Sequence, residues 1–439
     1  MILGTTGREC SIHRALAESP DSQTQQRSWR LPDEETLPRA SLFKVEDCDR
    51  PYEFVSVPPA GDRLIPEEYR DRIMVHTVHD GDILPAELYA GPDGKPLVNR
   101  RRLNAQFIQE RDWGANLVAS RIAGAMGVGG YGRCRVARAL LDFNRFPGAS
   151  PPGVHGSLER LAIGRLYTTK LSHEQKMHLL ERYYDRISNI IEGELLDGKL
   201  MMLAIHSYDE RNLSKTRRPH LSLLSSIAHY ERESRMPFGV FDPLYPDVLG
   251  ETTCSRTLRD RISLNLERTG FRVLHNHPYS MPEGSMEVRA QVWFFFCFLR
   301  RHFNEAYPDT KDDPAYKLVW AMLLNTNLRT QEAEALRSYL HRFRKVPASL
   351  RKRFHESLLA YQHIGRFLDS ARILSQFRRS RERPSSIGLE VRKDLVCSFD
   401  DNTGRPLPIT AKQLGKAALI GNVVADAITT YFETDRQYA

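Results

Sequence analysis

The sequence predicts an α/β fold, a mostly parallel mixed sheet flanked by helices. Three observations carry this. First, short apolar runs open on a turn signal and break abruptly into polar groups. Lys199–Ile205 follows Asp197-Gly198 and breaks into His206-Ser207-Tyr208-Asp209. Runs of this kind read as strands buried on both faces. Second, stretches with helical spacing of apolar residues lie between such runs, the βαβ alternation of a parallel sheet. Third, the 439 residues are 41% hydrophobic and 27% charged, an ordinary globular balance with ample length for one large or two modest cores.

In chain order, residues 1–50 are polar, with little periodicity, and are expected to form a flexible or loosely draped arm. The α/β core is expected from residue 51. Arg72–Gly81 reads as a strand that ends at His79, and Pro85 and Gly91-Pro-Asp-Gly94 punctuate the next stretch. Asp112–Met126 reads as a helix, with Asp112 available as its cap and Gly127 as its stop. Arg133–Arg145 reads as the next strand, its last stretch Arg138–Arg145 ending in Asp142, Asn144 and Arg145. A Pro/Gly-rich loop follows over Phe146–Gly156.

Ser172 and Gln175 form a capping box ahead of Met177, Leu179, Leu180, Tyr183, Tyr184 and Ile187, all at helical spacing. Then comes strand Lys199–Ile205. Residues 211–240 are basic and irregular. Thr252–Gly270 reads as a helix, and Phe271–His275 as a short strand leading to Asn276-His-Pro-Tyr279. Residues 285–380 read as helical almost throughout. Gly388–Phe399 is the last strand, with Glu390 and Arg392 two apart on one face. Ala411–Phe432 is the closing helix.

The net charge of +8 is uneven. Residues 342–383 hold twelve Lys/Arg against three Asp/Glu, a net of +9, which leaves −1 for the rest. The six cysteines (Cys10, Cys48, Cys134, Cys254, Cys297, Cys397) include no C-x-x-C pair. That argues against a disulfide scaffold or a cysteine-zinc site and for reduced thiols in a cytoplasmic setting. The longest purely apolar run, Val292–Leu299, is far too short to span a bilayer, and no secretory signal opens the chain.

Ligands of open α/β sheets bind at the C-terminal edge of the strands. Here four strand readings end in groups suited to metal binding, carboxylate recognition or proton transfer. Six segments, in order, resemble the N-formylglutamate amidohydrolase family. They are VHDGDILP at 78–85, RDWGANLVASRIA at 111–123, ARALLDFNR at 137–145, AIHSYDE at 204–210, NHPYS at 276–280 and GLEVRKDL at 388–395. The zinc carboxypeptidases, a more distant group, carry similar pieces. The resemblance implies a zinc-exopeptidase-like fold and a zinc-dependent hydrolase of linear amide C–N bonds. Such an enzyme removes an N-formyl or N-acyl group from an amino acid bearing a carboxylate. In the family the N-x-P-Y loop and the E-x-R strand lie much closer together. Residues 285–382 therefore read as a large helical insertion, dividing the core into 51–284 and 383–439.

Zinc-assisted amide hydrolysis needs an open metal site, a base near the attacking water, and positive groups for the substrate and the developing oxyanion. The resemblance assigns His79 and His206 as metal ligands. Asp112 is the preferred third ligand, with Asp82 as the alternative because it keeps the H-x-x-carboxylate spacing of the carboxypeptidases. A plain helix cap remains a rival role for Asp112. The resemblance makes Glu390 the general base acting on zinc-activated water. Met286-Glu-Val-Arg289 has the same Glu-x-Arg spacing, so Glu287 is its rival. Asn144 and Arg145, with Arg392, are expected to hold the substrate carboxylate. Arg138 is expected at the oxyanion or a second carboxylate, or else as a surface arginine. Asp142 is expected to orient Arg145 or to support a metal ligand. His76, three residues before His79, is expected to point to the opposite face of the strand.

Two other readings compete. One has the same chemistry acting on an acidic peptide gripped by the basic helical segment. The other is a non-catalytic binding protein, with Arg342, Arg344, Lys345, Arg351, Lys352 and Arg353 spaced to suit phosphates. No nucleic-acid motif accompanies that run, whose usual meaning is a solvated helix face.

Overall fold

The computed structural model describes residues 42–91, 94–145, 147, 161–212, 215–227, 242–282, 284–326, 331–340, 347–400 and 402–435. Most of the expected N-terminal arm, nearly all of the 146–156 loop and the basic residues Arg342, Arg344 and Lys345 lie outside them.

Nine strands are described. They are β1 (Lys44–Glu46), β2 (Tyr52–Ser56), β3 (Ile73–Thr77), β4 (Ile83–Pro85), β5 (Gly130–Cys134), β6 (Met201–Tyr208), β7 (Leu221–Leu224), β8 (Val273–His275) and β9 (Ser385–Arg392). β1 and β4 pair in parallel as a small side sheet. The other seven form one sheet in the order β2-β5-β3-β6-β9-β7-β8. β5, β3, β6 and β9 run parallel, as do β7 and β8, while the β2–β5 and β9–β7 pairings are antiparallel. The expected mostly parallel mixed sheet is therefore present.

β6 and β9 lie at the centre and are buried at every position. Their largely apolar character follows from having both faces covered. β6 extends past the expected end at Ile205, because its ladder with β9 continues through His206↔Glu390 to Tyr208↔Arg392. His206 is therefore a strand residue, paired with β9, and not the start of a loop.

Helices Ala115–Met126, Arg256–Arg268 and Ala411–Thr430 cover one face of the sheet. Val75, Leu203, Ile205, Leu389 and Val391 pack there against Ile122, Ile262 and Ile420. The other face carries Arg100–Glu110, the helical run His173–Leu196 and Met286–Ala306, with Met74, Met202, Tyr184, Trp293 and Phe295 in its core. Helix Met286–Ala306 is buried at every position from Met286 to Phe296, touching β9 inside and helices Pro314–Leu324, Arg351–Ser370 and Ile373–Arg379 outside. The Ser172–Gln175 capping box is present, and Gly127 ends its helix at φ 74°, a left-handed conformation that favours glycine.

One expected strand is absent. β5 stops at Cys134, and Arg138–Arg145 turns on itself, with the Leu140 and Leu141 amides both donating to the Ala137 carbonyl. Ala139, Leu140 and Leu141 are all buried, so the turn shows no polar face. A buried turn and a two-face-buried strand have the same apolar signature.

No described helix is long and apolar enough to cross a membrane. The described cysteines, Cys48, Cys134, Cys254, Cys297 and Cys397, are free.

Candidate functional site

The loop after β3 is fixed first. Thr77 Oγ1 donates to Asp80 Oδ1 at 2.9 Å, and Arg133 Nε donates to Asp80 Oδ2 at 3.2 Å. This places His79 just beyond the strand end. The Asp112 amide donates to the His79 carbonyl at 2.9 Å, tying Asp112 to that loop. Asp112 does not cap its helix. Gly114 holds the N-cap position, and the Asp112 carboxylate turns inward.

His79, Asp112 and His206 bring one ligand atom each within 4.8 Å of one another, and all three are buried. Asp112 Oδ2 lies 3.0 Å from His206 Nδ1 and 3.5 Å from His79 Nδ1. Asp82 is elsewhere, paired with Arg133 at 3.2 Å and Lys44 at 3.7 Å. Each imidazole has its other nitrogen on a buried carboxylate, His79 Nε2 on Asp142 Oδ1 at 2.9 Å and His206 Nε2 on Glu287 Oε1 at 3.0 Å. A histidine that donates from Nε2 presents the Nδ1 lone pair, the form a metal ligand requires. His79 Nδ1 is buried and has no hydrogen-bond partner. Two imidazole nitrogens and one carboxylate oxygen, converging with an orphaned lone pair, fit a divalent first-row ion.

Electrostatics agree with a site that must hold charge. Burial pushes the Asp112 carboxyl up, but the His206 hydrogen bond and the neighbouring His79 and Arg138 outweigh it and hold it well below the usual carboxylate range. Burial lowers His206, but its bonds to Asp112 and Glu287 raise it well above the ordinary histidine value.

Asp142 organises the loop that replaces the expected strand. It accepts from Arg138 Nε at 3.1 Å, Arg145 Nε at 2.9 Å and the Asn144 amide at 2.9 Å, besides His79. The helical turn puts Arg138 four residues before Asp142 on the same side. Arg138 also reaches Asp112 Oδ1 at 3.5 Å, so it belongs to the site and is not a stray surface group.

β9 supplies Glu390 beside His206 by register. Burial raises its carboxyl above the ordinary value, although the nearby His206 opposes the shift. The Tyr279 hydroxyl donates to Glu390 Oε1. Arg392 is buried and committed, with its fork on Asp394 at 2.7 and 3.0 Å and Nη1 on the Arg218 carbonyl. His76 also departs from expectation. The parity argument fails because His79 has left the strand, and the His76↔Ala204 register puts His76 on the His206 face.

A sequence model of the N-formylglutamate amidohydrolase family matches residues 71–304, just over half of the chain. The chain belongs to this family. Among solved structures, an N-formylglutamate amidohydrolase from Ralstonia eutropha JMP134 aligns with 14% identity and a TM-score of 0.43, covering 88% of this chain and 99% of that one. A gene product of Agrobacterium tumefaciens aligns with 14% identity and a TM-score of 0.38, covering 82% and 90%. No curated protein sequence matches. The amidohydrolase match spans His79, Asp112, Asp142, His206 and Glu287, while Glu390 lies beyond its end.

One residue at this site has no role in the sequence: Tyr279 is visible within NHPYS but has no stated partner. Glu287 enters there only as the rival base to Glu390, and its contact with His206 is not foreseen. Its signal was an acidic side chain in the first turn of a helix apolar on nearly all sides, where a charge needs a buried partner.

Proposed function

We propose that the chain is a zinc-dependent amidohydrolase that cleaves an N-formyl or N-acyl group from an amino acid bearing a free carboxylate. The observation behind this is the convergence of His79 Nδ1, Asp112 Oδ2 and His206 Nδ1 beside a buried glutamate, in a chain of this family. His79, Asp112 and His206 would hold the zinc, with Asp112 preferred over Asp82 because Arg133 already occupies Asp82. Zinc bound there supplies a Lewis acid that acidifies water and polarises an amide carbonyl.

Glu390 acts as the general base. It takes a proton from the attacking water and delivers it to the departing nitrogen, and its raised pKa suits both tasks. The Tyr279 hydroxyl holds one oxygen of that carboxylate and so fixes its direction. Arg138, between Asp112 and Asp142, faces the developing oxyanion or a second carboxylate. Asn144 and Arg145 bind the substrate carboxylate, with Asp142 holding Arg145 Nε so that the guanidinium plane is set before substrate arrives. Arg392 would join them only by opening its pair with Asp394. We read 285–382 as a helical subdomain whose first helix walls the site through Glu287.

The test is acid release from a panel of N-formyl and N-acyl amino acids, each beside its α-carboxamide. Cleavage of the free acids with strong loss on the carboxamides is expected. Equal cleavage of both would remove the carboxylate anchor.

A further inference from the structure

Glu287 lies on the side of His206 opposite Asp112. Its Oε1 is 3.0 Å from His206 Nε2, and both side chains are buried. The helix that carries it starts at Ser285, whose hydroxyl accepts from the Val288 amide, so Glu287 stands in the first turn, where the helix dipole favours an anion. It packs beside Gly388 of β9, where a Cβ built on the glycine would make an ordinary contact with Glu287 Oε1 at 3.6 Å. Asp142 stands in the same relation to His79, on Nε2 at 2.9 Å. The two imidazoles are thus held alike, each with Nε2 on a carboxylate and Nδ1 turned to Asp112.

We propose that Glu287 is a positioning residue for His206. It accepts the Nε2 proton, fixes the tautomer that leaves the Nδ1 lone pair on the Asp112 side, and sets the ring plane for a cation shared with His79 and Asp112. Its contact is with the far side of the ring, so it is not a base for water. The inference rests on the metal reading above. A carboxylate that accepts from a ligating histidine makes the ligand more basic, and removing such a partner typically costs about 10–100-fold in metal affinity.

The experiment compares full-length wild type, Glu287→Leu, Glu287→Gln and His206→Ala. Zinc affinity is measured by competition with a chromophoric chelator, and the metal-free melting temperature is recorded for each. The expected result is a roughly 10–100-fold loss of zinc affinity in Glu287→Leu. Glu287→Gln, whose amide oxygen still accepts from Nε2–H, should recover part of it. In the zinc-loaded wild type, ¹⁵N-resolved imidazole spectra should show a slowly exchanging His206 Nε2–H that survives in Glu287→Gln. The spectra test the role even if Glu287→Leu does not fold. Unchanged affinity in both Glu287 variants, with loss in His206→Ala, overturns the positioning role and leaves the metal reading intact. Wild-type affinity in His206→Ala overturns both. A His206 ring protonated at Nδ1 in the loaded protein also overturns the positioning role.

Discussion

Asp142→Asn alters no volume, yet it removes the charge that holds four partners together. Asp142 accepts from His79, from Arg138, from Arg145 and from the Asn144 amide, at 2.9–3.1 Å. An asparagine has one acceptor oxygen and turns an amide donor toward the other donors. Breaking a fully buried ion pair costs about 3–5 kcal/mol. Two features reduce that here. The side chains of Arg138 and Arg145 are 26% and 40% exposed, so solvent screens part of their charge. The remaining oxygen keeps one or two hydrogen bonds. About 2–4 kcal/mol of lost stability is expected. The assay is urea unfolding in the presence of a chelator, so that the chain alone is measured. Tyr184→Phe is the control on the same loop, since it deletes only the neutral bond from the Tyr184 hydroxyl to the Arg145 carbonyl and should cost about 0.5–1.5 kcal/mol. A loss for Asp142→Asn no larger than that of Tyr184→Phe would show that Asp142 does not organise the loop.

Three further outcomes are expected. Asp112→Ala should abolish zinc binding in equilibrium dialysis while Asp82→Ala retains it, because Asp82 is engaged by Arg133; the reverse result would reassign the third ligand. Glu390→Gln should keep zinc bound and lower turnover by roughly 10²–10⁴-fold, and full turnover in this variant would remove the base. Burial pushes the Glu192 carboxyl from 4.5 up to about 7 despite Arg289. The folded state then holds this proton more tightly than the unfolded chain, so the stability it contributes is present below about pH 4.5 and is lost as pH rises through 7. Glu192→Gln should therefore unfold at higher urea than wild type at pH 8, by about 1–3 kcal/mol after allowance for its partial exposure. The gap should shrink as pH falls and close only below about pH 4.5, and a gap independent of pH would refute the burial account.

Much of the site was legible before the structure because its donors sit at the ends of apolar runs. His79 follows the β3 run, His206 closes the β6 run and Glu390 lies within the β9 run, so locating strands located the candidate donors, while the resemblance supplied their expected roles. The sequence prefers Asp112 over Asp82 on the resemblance, although the H-x-x-carboxylate spacing points to Asp82. What no local pattern encodes is that Arg133, about fifty residues away, engages Asp82. The 138–145 turn reads as a strand because its apolar centre, Ala139 to Leu141, is buried on all sides, and burial without alternation has no period to report. Glu287 was passed over for a different reason. Its meaning depends on His206, 81 residues earlier, and nothing local to Met286–Arg289 encodes that partner.

The strand order has a consequence for how the chain is made. β9 enters last yet lies between β6 and β7, so until Ser385 and its followers leave the ribosome the sheet exists only as two separate halves. At about 5–20 residues per second, the interval from Tyr208 to Arg392 lasts on the order of ten to forty seconds. During that interval β6 and β7 each present an unpaired, mainly apolar edge, the kind of template on which nascent chains stick to one another. A chain that stalls or is cut before residue 385 lacks the strand that joins the two halves, and leaves the facing edges of β6 and β7 without their partner.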